Sequence, residues 1–387
     1  MPQTLAIDPG PVRALLEPHH LELAEEVSRF VRDRIDPLDA PLSDDDGRRQ
    51  ARDILALLAE GNLLRFIDPL DLRACCLVRE ALAWASPLAD EVFALQCLSA
   101  MPILLGGTPA QKEAWAAPIL AGGAMGGFAM TEPNAGSDVG ALETVATRAD
   151  GGYRLTGHKT LISNAGIADV YTVFASTDRD AGHRGVSCFA IRADAPGFRF
   201  AGPLVLSAPH PLGELAFEGC RVAEDARLGA EGDGFKLGMA TLDRLRPTVA
   251  AAATGMAARA LYEALDYTRG RTQFGQPISE FQLVQQKLAR MATELAASRL
   301  LLYRAAWEHD QGKERITLES AMAKSYATEA AQRVIDDAVQ LHGGIGTLRS
   351  SVVDRLYRSV RALRIYEGTT DVQQLVIARN LLRSRSA

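Results

Sequence analysis

Cysteine is scarce and unpatterned in this 387-residue chain. The five, Cys75, Cys76, Cys97, Cys188 and Cys220, are odd in number and irregularly spaced, and no Cys-x-x-Cys occurs. That excludes a disulfide framework and predicts free, mostly buried thiols in a reducing compartment. The seven histidines are scattered, without His-Glu-x-x-His or clustered carboxylates, so no metal site is expected. Basic residues are not in excess: 42 Lys and Arg stand against 48 Asp and Glu, a formal net charge of -6. This argues against a nucleic-acid partner, which asks for a basic stripe. Local arginines can still hold an anionic ligand. No stretch approaches 18 uninterrupted apolar residues, and MPQTLAIDPGP has no basic start before an apolar run. Neither membrane span nor signal peptide is expected, and the location is expected to be cytoplasmic. There is no internal repeat and no low-complexity tract.

What is present is ample apolar content, 47%, enough for a large core and more than one domain. The first third has helical periodicity over 12–31, 54–64, 74–85 and 91–104, with a polar turn or short loop from Leu42 and a Pro-at-N1 start at Pro109. Glycines in LAGGAMGG, 120–127, end it. The middle third changes to strands of about eight residues between Gly, Asp and Pro turns, such as VYTVFAST, VSCFAIRA and FRFAGPLVL. No helix-length pattern alternates with them, so a doubly wound parallel sheet is not indicated. The last third returns to long helices: 234–269 with Gly255 inside it, one from about Ser279, one over 316–341, one over 352–363, and a final one. Phe281, Val284, Leu288, Met291, Leu295 and Leu302 form a seam at steps of three and four, with Ser298 breaking the apolar row. The reading is an α+β chain: an all-α N-terminal domain over 1–124, a β-domain over 125–232 and a C-terminal helical bundle over 233–387.

Chemistry-bearing residues cluster in separate segments. FAMTEPNAGSDVGAL, 128–142, is either a tight inter-domain turn or a loop whose Gly136 and Ser137 offer N–H groups to a ligand. GHKTLISNAGIAD, 157–169, is either a hairpin end with Asn164 in the turn or a strand end where Ser163 donates to a ligand. In DYTRGRTQFGQPISEFQ, 266–282, Arg269 and Arg271 suit a helix C-terminus, and Arg271 with Gln273 and Phe274 also suits a diphosphate beside a ring. In QLHGGIG, 340–346, the glycines cap a helix and permit close backbone approach; no strand precedes them and the spacing is not Gly-x-Gly-x-x-Gly. Finally, RIYEGTTDVQQL places Glu367 between Tyr366 and Gly368, either as a solvated charge before a Thr370–Gln373 capping box or as a base.

Taken together, MTEPNAGSD (130–138), GHKTLISNAG (157–166), RTQFGQP (271–277), QLHGGIG (340–346) and RIYEGTTDVQ (364–373) resemble the acyl-CoA dehydrogenase family, in family order and spacing. The resemblance covers nearly the whole chain; the first 90 residues or so match only as helices. It implies an α-helical N-terminal domain, a middle β-domain and a C-terminal four-helix bundle. It also implies non-covalent FAD and a homodimer or homotetramer in which the FAD reaches across a subunit boundary. Thr131 would meet the flavin's pyrimidine side, and Ser163 would face flavin N5. Arg271 and Phe274 would contact the partner's FAD, which the Gly343–Gly344 turn approaches with Gln340 nearby. Thr369 would reach the diphosphate of its own subunit's FAD. Ser137 and Arg246 would help hold the CoA thioester.

The same resemblance makes Glu367 the catalytic carboxylate. A second group in the family carries its base on the first long bundle helix; here that position is Leu245, which cannot take a proton. Two departures stand out: Leu161 replaces a common tryptophan beside the flavin, and Asp371 a common glutamine or glutamate. The implied reaction is α,β-dehydrogenation of an acyl-CoA to its trans-2-enoyl form, with electrons passing to an electron-transfer flavoprotein. An acyl-carrier-protein thioester, or a flavin monooxygenase or nitroalkane-oxidase-like activity on this fold, is the alternative. The acyl pocket is expected to involve 94–104 and Tyr366, and chain length stays open.

Overall fold

A computed structural model describes residues 6–384. Helix starts follow from their caps. Helix α1, Pro18–Phe30, opens with a box in which the Glu17 N–H donates to His20 Nδ1. The polar stretch after Leu42 is not a loop but the start of α2, Asp44–Glu60. Ser43 accepts from the Asp46 N–H at 3.1 Å, and Asp44, Asp45 and Asp46 face the positive end of the helix dipole. Asp71 caps α3, Leu72–Ala85, by accepting from the Ala74 N–H. Helix α4, Pro87–Gly106, is apolar on every side. By length and composition it can cross a membrane, yet its apolar window is 83% buried inside the protein. Short helices α5 (Pro109–Gln111) and α6 (Ala117–Leu120) close the first third.

The middle third is a mixed eight-stranded sheet. Its strands are β1 (Gly126–Ala129), β2 (Val145–Ala149), β3 (Gly152–Ser163), β4 (Val170–Ser176), β5 (Val186–Arg192), β6 (Phe198–Pro203), β7 (Leu212–Ala223) and β8 (Arg227–Leu228). The order is β6-β7-β3-β2-β4-β5-β8, with β1 parallel to β4. Strands β4 and β5 are almost wholly buried, which is why both are mostly apolar and do not alternate with charged residues, Thr172 and Ser187 being the buried polar exceptions inside them. All five cysteines are buried free thiols, and burial pushes the Cys220 thiol up to about 11.

The last third comprises α7 (Gly234–Gly270), a hairpin of β9 (Thr272–Gln273) and β10 (Gln276–Pro277), then α8 (Gln282–Asp310), α9 (Thr317–His342), α10 (Val352–Leu363) and α11 (Thr370–Ser384). The predicted α8 seam is buried at Met291, Leu295 and Leu302 and half-buried at Phe281, Val284 and Leu288. The chain packs as two compact units. One holds 1–39, 71–90 and 243–387; the other holds 40–70 and 91–242. The helical first third is therefore shared between them.

In the first unit, Val249, Ala253, Met256 and Ala260 of α7 meet Met291 of α8, Ile335 of α9 and Leu356 and Val360 of α10 in one apolar core. Pro247 inside α7 leaves the Asp243 carbonyl without its helical donor. The Ser320 hydroxyl supplies one at 2.7 Å. Helix α3 lies against α7 at Gly255: a Cβ there would sit 2.0 Å from the Glu80 carbonyl oxygen. The Glu80 carboxylate in turn accepts from Arg299 Nε at 2.7 Å and from the Tyr303 hydroxyl at 2.9 Å, tying α3 to α8.

Gly255→Ala tests this close approach. Alanine favours the helix by about 1 kcal/mol, but forcing a methyl into a packed contact costs about 1–3 kcal/mol. With backbone rather than a flexible side chain in the way, the clash is expected to win. The urea midpoint should fall, and the effect should vanish in a matched Gly→Ala substitution at exposed Gly270, where nothing lies within 4 Å of the added carbon.

Candidate active site

The turn between α10 and α11 carries the focal carboxylate. Glu367 has φ 54 and Gly368 φ 94, two successive left-handed residues, the first of them not glycine. Such a conformation persists only if its surroundings hold it, and here they do. Arg246 Nε donates to the Glu367 carbonyl at 3.0 Å, and Lys324 Nζ donates to the Gly368 carbonyl at 2.8 Å. Gln373 Nε2 reaches both carbonyls, at 3.4 and 3.2 Å. A side chain at position 368 would lie 2.3 Å from that Gln373 nitrogen and displace it, and the left-handed φ itself favours glycine. The Thr370 N–H donates to Arg364, and the Thr370 hydroxyl to Glu329, which Arg364 also pairs. The helix cap is Thr369, whose Oγ1 accepts from the Val372 N–H at 3.2 Å. The Thr370–Gln373 capping box does not form, because both side chains are committed elsewhere.

Around this turn sits a buried set of charges. Arg79 is gripped by both oxygens of Asp90, at 2.7 and 2.9 Å, and by Thr248 at 2.8 Å. Arg246 pairs with Asp243 at 2.6 Å. Glu367 Oε2 is inaccessible to solvent and has no hydrogen-bond partner. Burial raises the Glu367 pKa; the charges of Arg79, Arg246 and Lys324 partly counter it, and Asp90 adds to it. Burial lowers Lys324 to about 8, offset in part by Glu367. An unpartnered carboxyl with a raised pKa, set among fixed charges on a constrained turn, is what a general base requires. Leu245, the alternative base position, is a buried apolar side chain.

The other predicted residues divide between the two units. Tyr366, Arg246 and Thr369 belong with Glu367 in the first; Tyr366 is half-buried, and Arg246 is buried and engaged in holding the turn. The same unit contains Arg271, Phe274, Gln340, Gly343 and Gly344. Phe274 and Gly275 form the β9–β10 turn at φ 52 and 83, a type I′ geometry that lifts the Phe274 ring to 96% exposure. Arg271 and Gln340 are exposed. Gly343 and Gly344 follow α9 with open space where a side chain would be. A free-standing guanidinium, an open glycine turn and the Thr369 hydroxyl at the start of α11 fit a diphosphate-bearing cofactor in donor chemistry.

The second unit holds Thr131, Ser137 and Ser163. Ser137 is exposed, and Thr131 and Ser163 are half-buried. The loop carrying Thr131 is pinned to β3: Lys159 donates to Glu132 at 2.6 Å, and Glu132 also accepts from the Thr144 N–H at 3.1 Å. The Thr160 N–H donates to the Thr131 carbonyl. Leu161 and Asn164 bracket Ser163, both at positive φ, with Leu161 bulged out and exposed. Hydroxyls at a strand end suit the polar edge of a flavin ring, so the donor chemistry of this unit, taken by itself, fits FAD.

Sequence reading missed Arg79, Asp90, Lys324, Glu132 and Lys159. Arg79, Asp90 and Lys324 stand among mostly apolar or small residues, a signal that each needed a buried partner, whereas Glu132 and Lys159 lie inside polar motifs and give no such signal. The partner, distant in sequence in three of five cases, was not readable. One histidine–carboxylate group also forms among the described residues: His19, His20 and Asp71. His20 is the partner of Glu17 in the α1 capping box and Asp71 caps α3, and His20 Nε2 lies 3.1 Å from Asp71 Oδ1, so two of the three have structural roles.

Comparison with known proteins gives the same assignment. The chain matches the N-terminal, middle and C-terminal domain models of acyl-CoA dehydrogenase at residues 17–123, 127–220 and 232–382. It is 40% identical to a short-chain-specific acyl-CoA dehydrogenase of Megasphaera elsdenii over 309 residues, covering 79% of this chain and 80% of that one. A 3-(aryl)acrylate reductase of Clostridium sporogenes is 41% identical, covering 81% and 84%. Among solved structures, butyryl-CoA dehydrogenase of M. elsdenii superposes with TM-score 0.89 at 34% identity, over 95% of this chain and 99% of that one. The FAD complex of PigA gives 0.85 at 28% identity, over 95% and 98%. The prolyl acyl carrier protein oxidase AnaB gives 0.85 at 28%, over 95% and 99%.

The raised Glu367 pKa has a stability consequence. The folded protein binds this proton more tightly than the unfolded chain, so the burial penalty is absent below the ordinary value of 4.5 and complete above the raised folded value. Glu367→Gln is therefore expected to gain thermal stability relative to wild type as pH rises through that window, then hold a constant gap. A gap independent of pH, by calorimetry on the two cofactor-free proteins, would contradict the raised value.

Proposed function

This chain belongs to the acyl-CoA dehydrogenase family of FAD-dependent oxidoreductases, and from that premise we propose that it desaturates an acyl-CoA at Cα–Cβ with Glu367 as the base. The observation that carries this reading is the buried, partnerless Glu367 Oε2 on a turn held in a left-handed conformation, with an apolar Leu245 at the alternative base position. FAD, when bound, supplies the acceptor for the β-hydride.

The remaining work falls to the chain. The Glu367 N–H polarises the thioester carbonyl and stabilises negative charge developing on its oxygen. Glu367 takes the α-proton; its raised pKa makes that transfer less unfavourable at neutral pH. Arg246 and Lys324 act on the carbonyls of residues 367 and 368 and so keep the carboxyl aimed. Ser137, Arg246 and Tyr366 bind and orient the CoA thioester. Thr131, Ser163 and Thr369 hold FAD within the subunit. Arg271, Phe274, Gln340, Gly343 and Gly344 serve the FAD of a neighbouring copy, making the active unit a homodimer or homotetramer. The outward, uncovered Phe274 ring supports this, since an aromatic side chain at 96% exposure gains nothing in an isolated chain. An electron-transfer flavoprotein is the proposed acceptor of the electrons.

A short acyl group is the favoured substrate, on the likeness to short-chain-specific and butyryl-CoA enzymes. The likeness to AnaB supports a second reading, an acyl-carrier-protein thioester. Side-by-side flavin bleaching by butyryl-CoA and by the matching carrier-protein thioester separates them.

Two experiments test the assignment. Glu367→Gln should keep its fold and FAD but lose at least about 10²–10⁴-fold in anaerobic flavin reduction by acyl-CoA, the range for a positioned base. Leu245→Glu added to it should recover part of the rate. Reduction at the native rate with the native pH profile would place the base elsewhere. Arg271→Ala should lower FAD retention on gel filtration more than it lowers the unfolding midpoint, and light scattering should show at least a dimer. A fully active FAD-loaded monomer would refute the shared cofactor site.

A further inference from the structure

In the sheet-containing unit, Ser163 is one end of a three-residue chain that the proposed chemistry does not use. Ser163 Oγ lies 2.9 Å from His210 Nε2. His210 Nδ1 makes a close ion pair with Glu91 Oε2, and both side chains are largely buried, at 17% and 12% exposure. Ser163 ends β3, His210 lies in the loop entering β7, and Glu91 lies on α4. The arrangement has the connectivity of a nucleophile–base–acid triad. It lacks the oxyanion donors such a triad needs. The Asn164 N–H is taken by the Pro211 carbonyl at 2.7 Å and the Ala165 N–H by Ile162 at 3.3 Å. The Gly166 N–H is taken by the Tyr171 hydroxyl at 3.0 Å. Acyl transfer on Ser163 therefore has no support, and the triad geometry must do something else.

What it does is fix the direction of a hydroxyl. With Glu91 ionised, a neutral His210 carries its proton on Nδ1 and accepts at Nε2. Ser163 then donates to His210 and presents only lone pairs outward. A protonated His210 donates to Ser163 Oγ, and the serine hydrogen turns outward. One proton on His210 thus converts Ser163 from an acceptor to a donor without moving a heavy atom. A flavin ring makes the complementary change at N5, which accepts a hydrogen bond when oxidised and donates one when reduced.

We propose that His210 and Glu91 form a proton relay behind Ser163, which matches the serine hydroxyl to the redox state of the flavin and couples flavin reduction to proton release from His210. The proposal rests on the reading of Ser163 as the residue facing flavin N5. The balance is simple. The ring takes up two electrons and one proton, the electrons coming from the substrate's β C–H bond or from an electrode. His210 meanwhile loses its Nε2 proton to solvent, so net proton uptake falls by one. The charged groups around His210 are Glu91 on α4 and, on α2, Arg48 with its partner Asp44. Arg48 donates to the carbonyls of Ala165 and Leu212 at 2.6 Å, and Pro209 packs on Gly47. Arg48 cannot lose its charge in the relevant range, and Asp44 is paired with it; the relay therefore assigns the mobile proton to the His210 ring, between Ser163 and Glu91. The relay residues are positioning residues; none is asked to touch substrate.

The test has two arms. In cofactor-free protein, histidine ¹⁵N NMR should show His210 protonated at Nδ1 and unprotonated at Nε2 at high pH, with the Nε2 signal moving in Ser163→Ala. In FAD-loaded protein, the midpoint potential is measured against pH across the histidine range. One proton fewer in a two-electron couple changes the slope by about 30 mV per pH unit, since a tenfold change corresponds to that voltage. Wild type should show a segment flatter by that amount. His210→Gln, which keeps a hydrogen-bonding amide but cannot titrate, and Ser163→Ala should both give a single straight line. An identical flat segment in His210→Gln, or none in FAD-loaded wild type, overturns the relay while leaving the flavin assignment intact. A wrong tautomer in the cofactor-free protein overturns it before any flavin is added. Failure of wild type to bind FAD at all takes down the flavin reading, and the relay with it.

Discussion

Everything chemical in the first unit depends on one constraint, the left-handed conformation of Glu367 and Gly368. A glutamate at φ 54 is unfavourable by itself. It is retained because its own carbonyl and the next one are seized by Arg246, Lys324 and Gln373. These donors come from α7, α9 and α11, so three helices must pack correctly before the turn exists. The side chain of Glu367 is then free of structural duty. All hydrogen bonding at this position runs through the backbone, which leaves the carboxyl oxygen Oε2 open for a proton.

The electrostatics follow the same division. Arg79 and Asp90 neutralise each other in a bidentate pair, so neither drives Glu367 fully into its charged or its neutral form. Burial acts against ionisation of Glu367, and three cations act for it. Opposed effects of this kind leave a carboxyl poised rather than locked, which is the condition for taking a proton and giving it back. The sheet-containing unit uses a different device. There the strained residues, Leu161 and Asn164, bracket a hydroxyl whose orientation is set by a histidine and a carboxylate from two other elements.

The order of helix, sheet, helix along the chain was available from periodicity and composition, because α10 shows its buried face at Val353, Leu356, Val360 and Leu363 and β4 and β5 are short runs rich in β-branched and aromatic residues. The three aspartates after Ser43 have the composition of a turn, yet Ser43 caps them as the first turn of α2. Gly255, inside a long helix, is a contact surface for α3. The Thr370–Gln373 box was a sound local signal that lost to longer-range demands from Glu329 and from the two turn carbonyls.

The sequence by itself supplied the residue types. The resemblance to the family, carried by motif order and spacing, points to Glu367 with Gly368 beside it and to the apolar Leu245 at the alternative position, and these are properties of residue type that no folding changes. Only the tertiary structure decided what those residues experience. That Lys324, Arg246 and Arg79 surround Glu367, or that Glu91 stands behind His210, depends on pairs up to 288 positions apart along the chain in the case of Arg79 and Glu367. Helical and strand periodicity reports only neighbours within a few residues. Charge interactions act through space and grow as water is excluded, so the pKa of a base and the direction of a hydroxyl are set by packing, after the sequence has supplied the groups.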